Sequence, residues 1–358
     1  MTAKSNPCED NPLMTNVLLA ELGWTADFLR QMDLDEVGRT EPARVTGVHR
    51  SRIAALGAMG ALDLIPASDL NTGDVAVGDW VLGQGGVALR VLERRSELQR
   101  KAAGTGMARQ LIAANVDTAL IVSSCNADFN VGRLERYLVL CASAGIAPVL
   151  VLTKADTCAE PDAFVAMGRA LQRGLAVVAL NAHGGAVRSE LADWCRMGQT
   201  VVLLGSSGVG KTTISNALTG GSAPVQGIRE EDAKGRHTTT ARSLVAMAAG
   251  GWLIDTPGVR ELQLTDVSVG IATLFDDLTG LAAACRFTDC KHDGEPGCAV
   301  QSAITAGDLD EGRLQRWQKL QREDRFNSES IHQAHQRART FGKMHRKIGD
   351  KHNPDRRR

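Results

Sequence analysis

Gly205-Ser206-Ser207-Gly208-Val209-Gly210-Lys211-Thr212 is the stretch on which the reading of this chain turns. It fits the spacing G-x-x-x-x-G-K-[ST], in which glycines let the backbone curl until its N–H groups point inward at phosphate oxygens. The flanks agree. An apolar run, Thr200–Leu204 (TVVLL), has strand character just before it, and Thr213–Leu218 has helical character just after it. A strand, a glycine-rich turn and a helix N-terminus together make an anion cradle. In that cradle Lys211 reaches toward β- and γ-phosphates, and the Thr212 hydroxyl is placed to ligate Mg²⁺.

Downstream, Trp252-Leu253-Ile254-Asp255-Thr256-Pro257-Gly258 reads as an apolar strand ending in a carboxylate at the sheet's carboxyl edge. Asp255 is there a magnesium ligand, and Gly258 offers a backbone N–H to a γ-phosphate without a side chain in the way. Between the two motifs lies Gly235-Arg236-His237-Thr238-Thr239-Thr240. Thr239 is expected to close over the metal and γ-phosphate as a switch residue; the alternative is a solvated loop whose hydroxyls cap a strand.

A phosphate loop does not choose a base. Guanine needs a carboxylate to accept from N1–H and the 2-amino group, donors that adenine lacks. Thr153-Lys154-Ala155-Asp156 follows the apolar strand Ala147–Leu152 and sets Asp156 in a loop at the carboxyl edge, with the Lys154 stem free to lie along the base. The set resembles N-K-x-D with Thr153 in place of Asn, one hydroxyl doing the bracing. Asn181-Ala182 resembles the short loop that supports the base through a backbone N–H. These base motifs precede the phosphate motifs, the reverse of the ordinary order. A sheet closes in the same way if its chain ends are relocated, since domain termini often lie close together, so the expectation is a circularly permuted domain whose last phosphate motif leads straight out to the C-terminal region.

The remaining chain frames this centre. Its 358 residues carry 41 Lys+Arg against 41 Asp+Glu, so net charge makes no case for nucleic acid. There is no apolar run long enough for a membrane helix and no secretory h-region, which gives the expectation of a cytoplasmic chain with no membrane partner. Residues 1–40 read as a polar arm with a short helix around Trp24–Met32. Over 41–96, short β runs (Arg44–Val48, Val75–Val77, Asp79–Leu82) suggest an OB-type barrel that either binds nucleic acid or packs only on its neighbour. Residues 97–278 alternate β and α patterns: strands Thr118–Ser123, Ala147–Leu152, Leu175–Leu180, Thr200–Leu204 and Gly251–Ile254, helices Val131–Ala144 and Pro161–Arg173, hence a doubly wound α/β sheet. Residues 279–326 form a small helical metal-binding domain with a charged helix at Leu309–Asp324, and 327–358 a basic tail.

The 8 cysteines are read as thiols or ligands. Cys125, Cys141, Cys158 and Cys195 stand singly in apolar or helical contexts as core thiols, and Cys8 lies in the arm. Cys285, Cys290, His292 and Cys298 crowd into CRFTDCKHDGEPGC, where Gly294, Pro296 and Gly297 supply turns. Three thiolates and an imidazole make a closed tetrahedral set for one structural Zn²⁺. Asp289 and Asp293 are redundant as ligands and read as solvated.

The order of barrel, T-K-A-D, G-S-S-G-V-G-K-T-T, G-R-H-T-T-T, D-T-P-G-V-R-E and the Cys₃His segment resembles the RsgA (YjeQ) family of small-ribosomal-subunit-dependent GTPases, over about Glu41–Asp324. The resemblance implies an N-terminal OB-type barrel, a central circularly permuted P-loop GTPase domain and a C-terminal zinc domain. It implies late maturation of the 30S subunit, contact with its 16S rRNA, and conversion of GTP to GDP and phosphate stimulated by the particle. A monomer is expected. It also implies that Gly205–Thr213, including Thr213, hold phosphates and magnesium, that Thr153, Lys154, Ala155 and Asp156 hold guanine, and that the Cys₃His set holds zinc. The position after Gly258 is Val259, which cannot orient water, so His237 is the candidate water-orienting residue, with simple loop packing as the alternative; Arg236, ranked second, would instead offset transition-state charge. Two rivals are an ATPase or nucleotide kinase on the same loop, and a non-catalytic RNA-binding module.

Overall fold

The structure is a computed structural model that describes residues 18–101, 109–221, 242–255 and 266–328. The chain divides into two compact units, one built from residues 1–99 and 111–261 and the other from 100–110 and 262–358.

The first unit opens with a short α1 (Ala26–Leu29), four residues where a longer helix over Trp24–Met32 is expected. A closed barrel follows. Its strands β1 (Glu41–Val48), β2 (Ile53–Gly57), β3 (Gly60–Pro66), β4 (Trp80–Gln84) and β5 (Val87–Val91) close in the order β1-β2-β3-β5-β4. Alternation puts Ala43, Val45, Ile53, Ala55, Leu64, Val81 and Ala88 inside as its core. Val75-Ala76-Val77, expected as a strand, is not one. It is buried, but Asp79 folds it into a turn by accepting from Ala76 N–H at 2.8 Å, and Gly78 N–H bonds irregularly to Val45 O at 2.9 Å. The V-A-V run is apolar because it is buried, Val75 within the barrel core itself, not because it pairs.

A two-stranded ribbon, β6 (Glu97–Lys101) with β7 (Arg109–Ala114), comes next in sequence. The sheet then assembles from β8 (Thr118–Ser124), β9 (Ala147–Thr153), β10 (Ala176–Ala179), β11 (Thr200–Gly205), β12 (Ser243–Ala246) and β13 (Trp252–Asp255), in the order β10-β9-β8-β11-β13-β12. All pairs are parallel except β12 with β13. Each residue of β8 is buried, as a central parallel strand covered on both faces requires. The helices are α2 (Val131–Ala144), α3 (Pro161–Arg169), α4 (Val187–Glu190) and α5 (Lys211–Thr219). Asn130 caps α2 by accepting from Arg133 N–H, and Gly145 ends it in the left-handed region at φ 70°.

Barrel and sheet meet at the amino edge of the sheet, around Arg44. This guanidinium, on β1, is fully buried and donates to Gly78 O at 2.9 Å, Asn115 O at 3.1 Å, Thr200 Oγ1 at 3.0 Å and Leu22 O. Segment 18–24 is wedged alongside: Trp252 Nε1 donates to Glu21 O at 2.7 Å, and Trp24, Phe28 and Trp80 pack ring against ring. At Gly23 (φ 88°) a Cβ would lie 2.7 Å from Gly198 O, so only glycine lets the backbones approach this closely.

The second unit contributes α6 (Ser268–Leu274), α7 (Asp276–Ala283), α8 (Ala299–Ala306) and a helix α9 over 311–328. Arg313 pairs with both oxygens of Asp277, at 2.8 and 3.0 Å, and lies over the Phe275 ring, which ties α9 to α7. No helix is long and apolar enough to cross a membrane among the described residues.

Candidate nucleotide site and metal centre

Strand β11 delivers the glycine-rich loop at the carboxyl edge of the sheet. Its last residue, Gly205, pairs with Val122 and has φ 142°; a Cβ there would stand 2.3 Å from Val122 O. The turn that starts the loop therefore cannot carry a side chain. Gly210 (φ 100°) precedes α5, and Lys211 opens the helix. Lys211 Nζ donates to Gly205 O at 2.8 Å and to Ser206 O, so the ammonium sits across the mouth of the loop. Val209 is buried beneath it, while Ser207, Gly208 and Thr212 are exposed, Ser206, Gly210, Lys211 and Thr213 partly so. Polar backbone and hydroxyls thus face outward from an apolar footing of Val209, Ile214 and Leu218.

The Thr153-Lys154-Ala155-Asp156 run arrives from the other direction and meets this loop. Thr153 ends β9 fully buried, with its hydroxyl 2.7 Å from Val209 O and 3.1 Å from Ser123 O. A hydroxyl has one proton to give, and the shorter contact takes most of it. The bracing expected of an Asn is thus supplied by Thr153, which binds the base motif to the phosphate loop 56 residues later. Lys154 takes a left-handed turn (φ 59°), swinging Ala155 and Asp156 into a short 3₁₀ turn with Asp156 exposed. Ala182, after β10, is buried, and its Cβ lies 3.6 Å from where a Cβ on Gly210 would be. Thr153, Ala182 and Gly210 consequently pack together, and the T-K-A-D segment and the glycine-rich loop converge although the chain presents them far apart.

β13 lies beside β11 in parallel register, so Asp255 ends at the same edge as Gly205. An exposed Thr212 one residue into α5 and a carboxylate residue at the end of the neighbouring strand are a donor set suited to a hard divalent cation. Arg236, His237, Thr239, Gly258 and Val259 lie outside the described residues. One neighbour of the loop has no motif to announce it. Arg133, in the first turn of α2, donates to Ser206 Oγ at 2.6 Å.

The second unit brings Cys285, Cys290, His292 and Cys298 together, with all four ligand atoms within 4.8 Å of one another. His292 Nδ1 is 3.6 Å from Cys285 Sγ and 3.4 Å from Cys298 Sγ, and those two sulfurs are 3.8 Å apart. A tetrahedral zinc with ordinary bond lengths would set S···S near about 3.8 Å and S···N near about 3.6 Å, so the cluster has the size of such a site. His292 stands at φ 61°, with its ring 5.7 Å from that of Trp317 and its carbonyl accepting from Gln301 Nε2 at 2.6 Å. The turn itself is folded by Glu295, whose carboxylate accepts from Lys291 N–H at 2.9 Å and Asp293 N–H at 2.7 Å. These N–H groups hold its pKa down to about 2. Sequence reasoning passed over Glu295; the question that finds it is where the N–H groups of so tight a turn are satisfied. Asp289 and Asp293 are exposed, as expected.

The other cysteines divide. Cys125, Cys141 and Cys195 are buried, and burial pushes their thiols up to about 11, 12 and 11. Cys158, expected in the core, is only half-buried, because it follows the exposed Asp156 turn instead of lying within a strand or helix. Cys8 is outside the described residues.

With this geometry in hand, similarity to known proteins is informative. The model of the RsgA GTPase family matches residues 91–265. Over 316 residues the chain is 53% identical to the small ribosomal subunit biogenesis GTPase RsgA of Mesorhizobium japonicum, covering 87% of this chain and 91% of that one. This chain belongs to the RsgA GTPase family. A second RsgA relative, small ribosomal subunit biogenesis GTPase RsgA 2 of Vibrio parahaemolyticus, is 46% identical over 95% of both chains. Solved structures show the same fold: YjeQ from Thermotoga maritima (TM-score 0.59, 24% identity, covering 78% of this chain and 97% of that one) and YloQ, a circularly permuted GTPase (TM-score 0.59, 22% identity, covering 81% and 97%). As an RsgA GTPase the chain is a GTP hydrolase, built as a closed barrel, a permuted α/β domain and a helical region with a Cys₃His cluster.

Proposed function

We propose that this chain hydrolyses GTP to GDP and phosphate on the small ribosomal subunit, late in maturation of the 30S particle, with the particle stimulating turnover. The observation that carries the proposal is the Thr153–Val209 hydrogen bond at 2.7 Å, which fastens a guanine-reading loop to a phosphate loop so that one nucleotide spans both. The relatives' names, small ribosomal subunit biogenesis GTPase, supply the particle. In this reading Asp156 accepts from the guanine edge with Lys154 along the base and Thr153 and Ala155 holding the loop. Gly205–Thr213 embrace the phosphates, Thr212, Thr239 and Asp255 ligate magnesium, and Gly258 meets the γ-phosphate. Magnesium bound there supplies positive charge to the oxygens that gain negative charge during transfer. His237 orients the attacking water, since Val259 cannot.

The domain division follows the same reading: arm 1–40, OB-type barrel 41–96, GTPase domain 97–278, zinc domain 279–326, basic tail 327–358. The ion in the Cys₃His set is zinc in a structural role, because four protein ligands leave no position for water. The barrel, zinc domain and tail face 16S rRNA, and the chain acts in the cytoplasm as a monomer. GTP hydrolysis with and without purified 30S and 50S subunits tests the central statement. Stimulation by 30S alone is expected; no turnover with 30S, or equal stimulation by 50S, overturns it. His237→Ala removes the stimulated rate if the histidine holds the water.

A further inference from the structure

Ser206 is the residue of the phosphate loop that is held from two sides. Its carbonyl accepts from Lys211 Nζ, the ammonium expected to meet phosphate, and its hydroxyl accepts from Arg133 Nη1 at 2.6 Å. Tyr137, one turn further along the helix, is buried. Arg133 and Tyr137 are four residues apart on α2 and therefore share one face of it. Arg133 itself is exposed, and no carboxylate pairs with it among the described residues. The start of α2 is itself pinned, since Asn130 Oδ1 accepts from Arg133 N–H at 2.9 Å.

We infer that Arg133 is a positioning residue of the phosphate site, acting through Ser206 to hold the glycine-rich loop in the shape that receives the nucleotide. Three glycines in this loop have positive φ, Gly205, Gly208 and Gly210, so the backbone has conformations to lose and something must restrict it. Ser206 is where restriction is most effective: it directly follows the Gly205 turn and carries the carbonyl that Lys211 uses. A charge-assisted donor on its hydroxyl removes the rotation of Ser206 before the nucleotide arrives, so less ordering is required on binding. The motif G-x-x-x-x-G-K-[ST] leaves position 206 open, and the motif alone does not say which helix supports it.

This inference rests on the guanine-nucleotide reading of the cleft, and its test separates the two. Affinities of the full chain for fluorescent GTP and GDP analogues are measured for the wild type, R133A, R133K, S206A and the R133A/S206A pair, with GTP KM and kcat alongside. A wild type that binds neither analogue, or prefers ATP, defeats the nucleotide reading itself. If that reading stands, R133A is expected to weaken both nucleotides about five- to tenfold, raise KM similarly and leave kcat at saturating GTP unchanged. R133K, which keeps the charge but loses the planar fork, recovers part of the loss. In the S206A background, R133A has no further effect. An unchanged affinity in R133A, or an equal loss in R133A whether or not Ser206 is present, overturns the inference, the latter because the guanidinium would then act on the phosphates directly.

Discussion

The sheet has two edges, and they are held by different chemistry. At its carboxyl edge, Thr153, Val209, Gly210 and Lys211 come together from short loops whose residues lie in recognisable runs. At its amino edge, Arg44, Leu22, Gly78, Asn115 and Thr200 form a buried polar knot drawn from five places, with partners up to 156 residues apart. The first edge has the exposed hydroxyls of Ser207 and Thr212 facing outward. The second has a guanidinium out of reach of water, satisfied almost wholly by backbone carbonyls. Burial pushes the Arg44 pKa down to about 10, with Asp117 partly opposing the fall, so it remains charged at neutral pH. The contrast separates a surface built to exchange a ligand from one built never to open.

The largest expected effect is on the closed edge. Arg44→Met leaves the carbonyls of Leu22 and Asn115 and the Thr200 hydroxyl without this donor in a buried place, and should destabilise the first unit by about 3–5 kcal/mol. Urea unfolding followed by tryptophan fluorescence measures it; the preference for GTP over ATP in the protein that remains folded should not move. At the open edge, Lys211→Ala should do the reverse. GTP affinity is expected to fall on the order of 100-fold through loss of a charge-assisted contact, while the urea midpoint without nucleotide stays where it was. A variant that lowered both quantities together would blur the distinction between the edges.

Thr153→Val sharpens it, because this residue is buried like the closed edge yet serves the open one. Removing the hydroxyl should cost about 1–2 kcal/mol of stability and, by loosening the base loop from Val209, weaken GTP and GDP alike; isothermal calorimetry with both nucleotides reads the second effect. Trp252→Phe is the smallest change. It removes the indole N–H from Glu21 O and trims a buried ring, and a loss of about 1–2 kcal/mol in urea unfolding is expected, with nucleotide affinity unaltered.

The open edge was legible in the sequence because its chemistry depends on local spacing. Glycines at Gly205 and Gly210, a lysine next to the second, and T-K-A-D after an apolar strand are each fixed by what a loop must do over a few residues. Strands β8, β9 and β11 and helix α2 could be read because continuous apolar runs and helical periodicity are also local. The closed edge has no such signature. Nothing around Arg44 in β1 marks it as buried, since arginine alternating with apolar residues looks like an outward-facing position in a strand. Val75–Val77 misled for the same reason: its apolarity reports burial, with Val75 in the barrel core, while its backbone bonds go to Thr72, Asp79 and Ala114 instead of a ladder. Strand β12 is four residues at the antiparallel edge, too short for a period to be recognised. In the second unit the Cys₃His set could be picked out from residue types, whereas Glu295 was hidden because its carboxylate accepts from backbone N–H groups.

Segment 18–24 and the knot around Arg44 also limit how these parts can be exchanged. A barrel transplanted onto this sheet from a relative would not seat as an independent cassette. The graft would have to include the wedge of residues before it, retain glycine at 23 and 198 where backbones nearly touch, and find a hydroxyl at 200 and a carbonyl at 115 in register with its own arginine. Recombination between family members should therefore succeed at crossover points that keep residues 18–92 with their matching strand roots, and fail at the boundary that the loops alone would suggest.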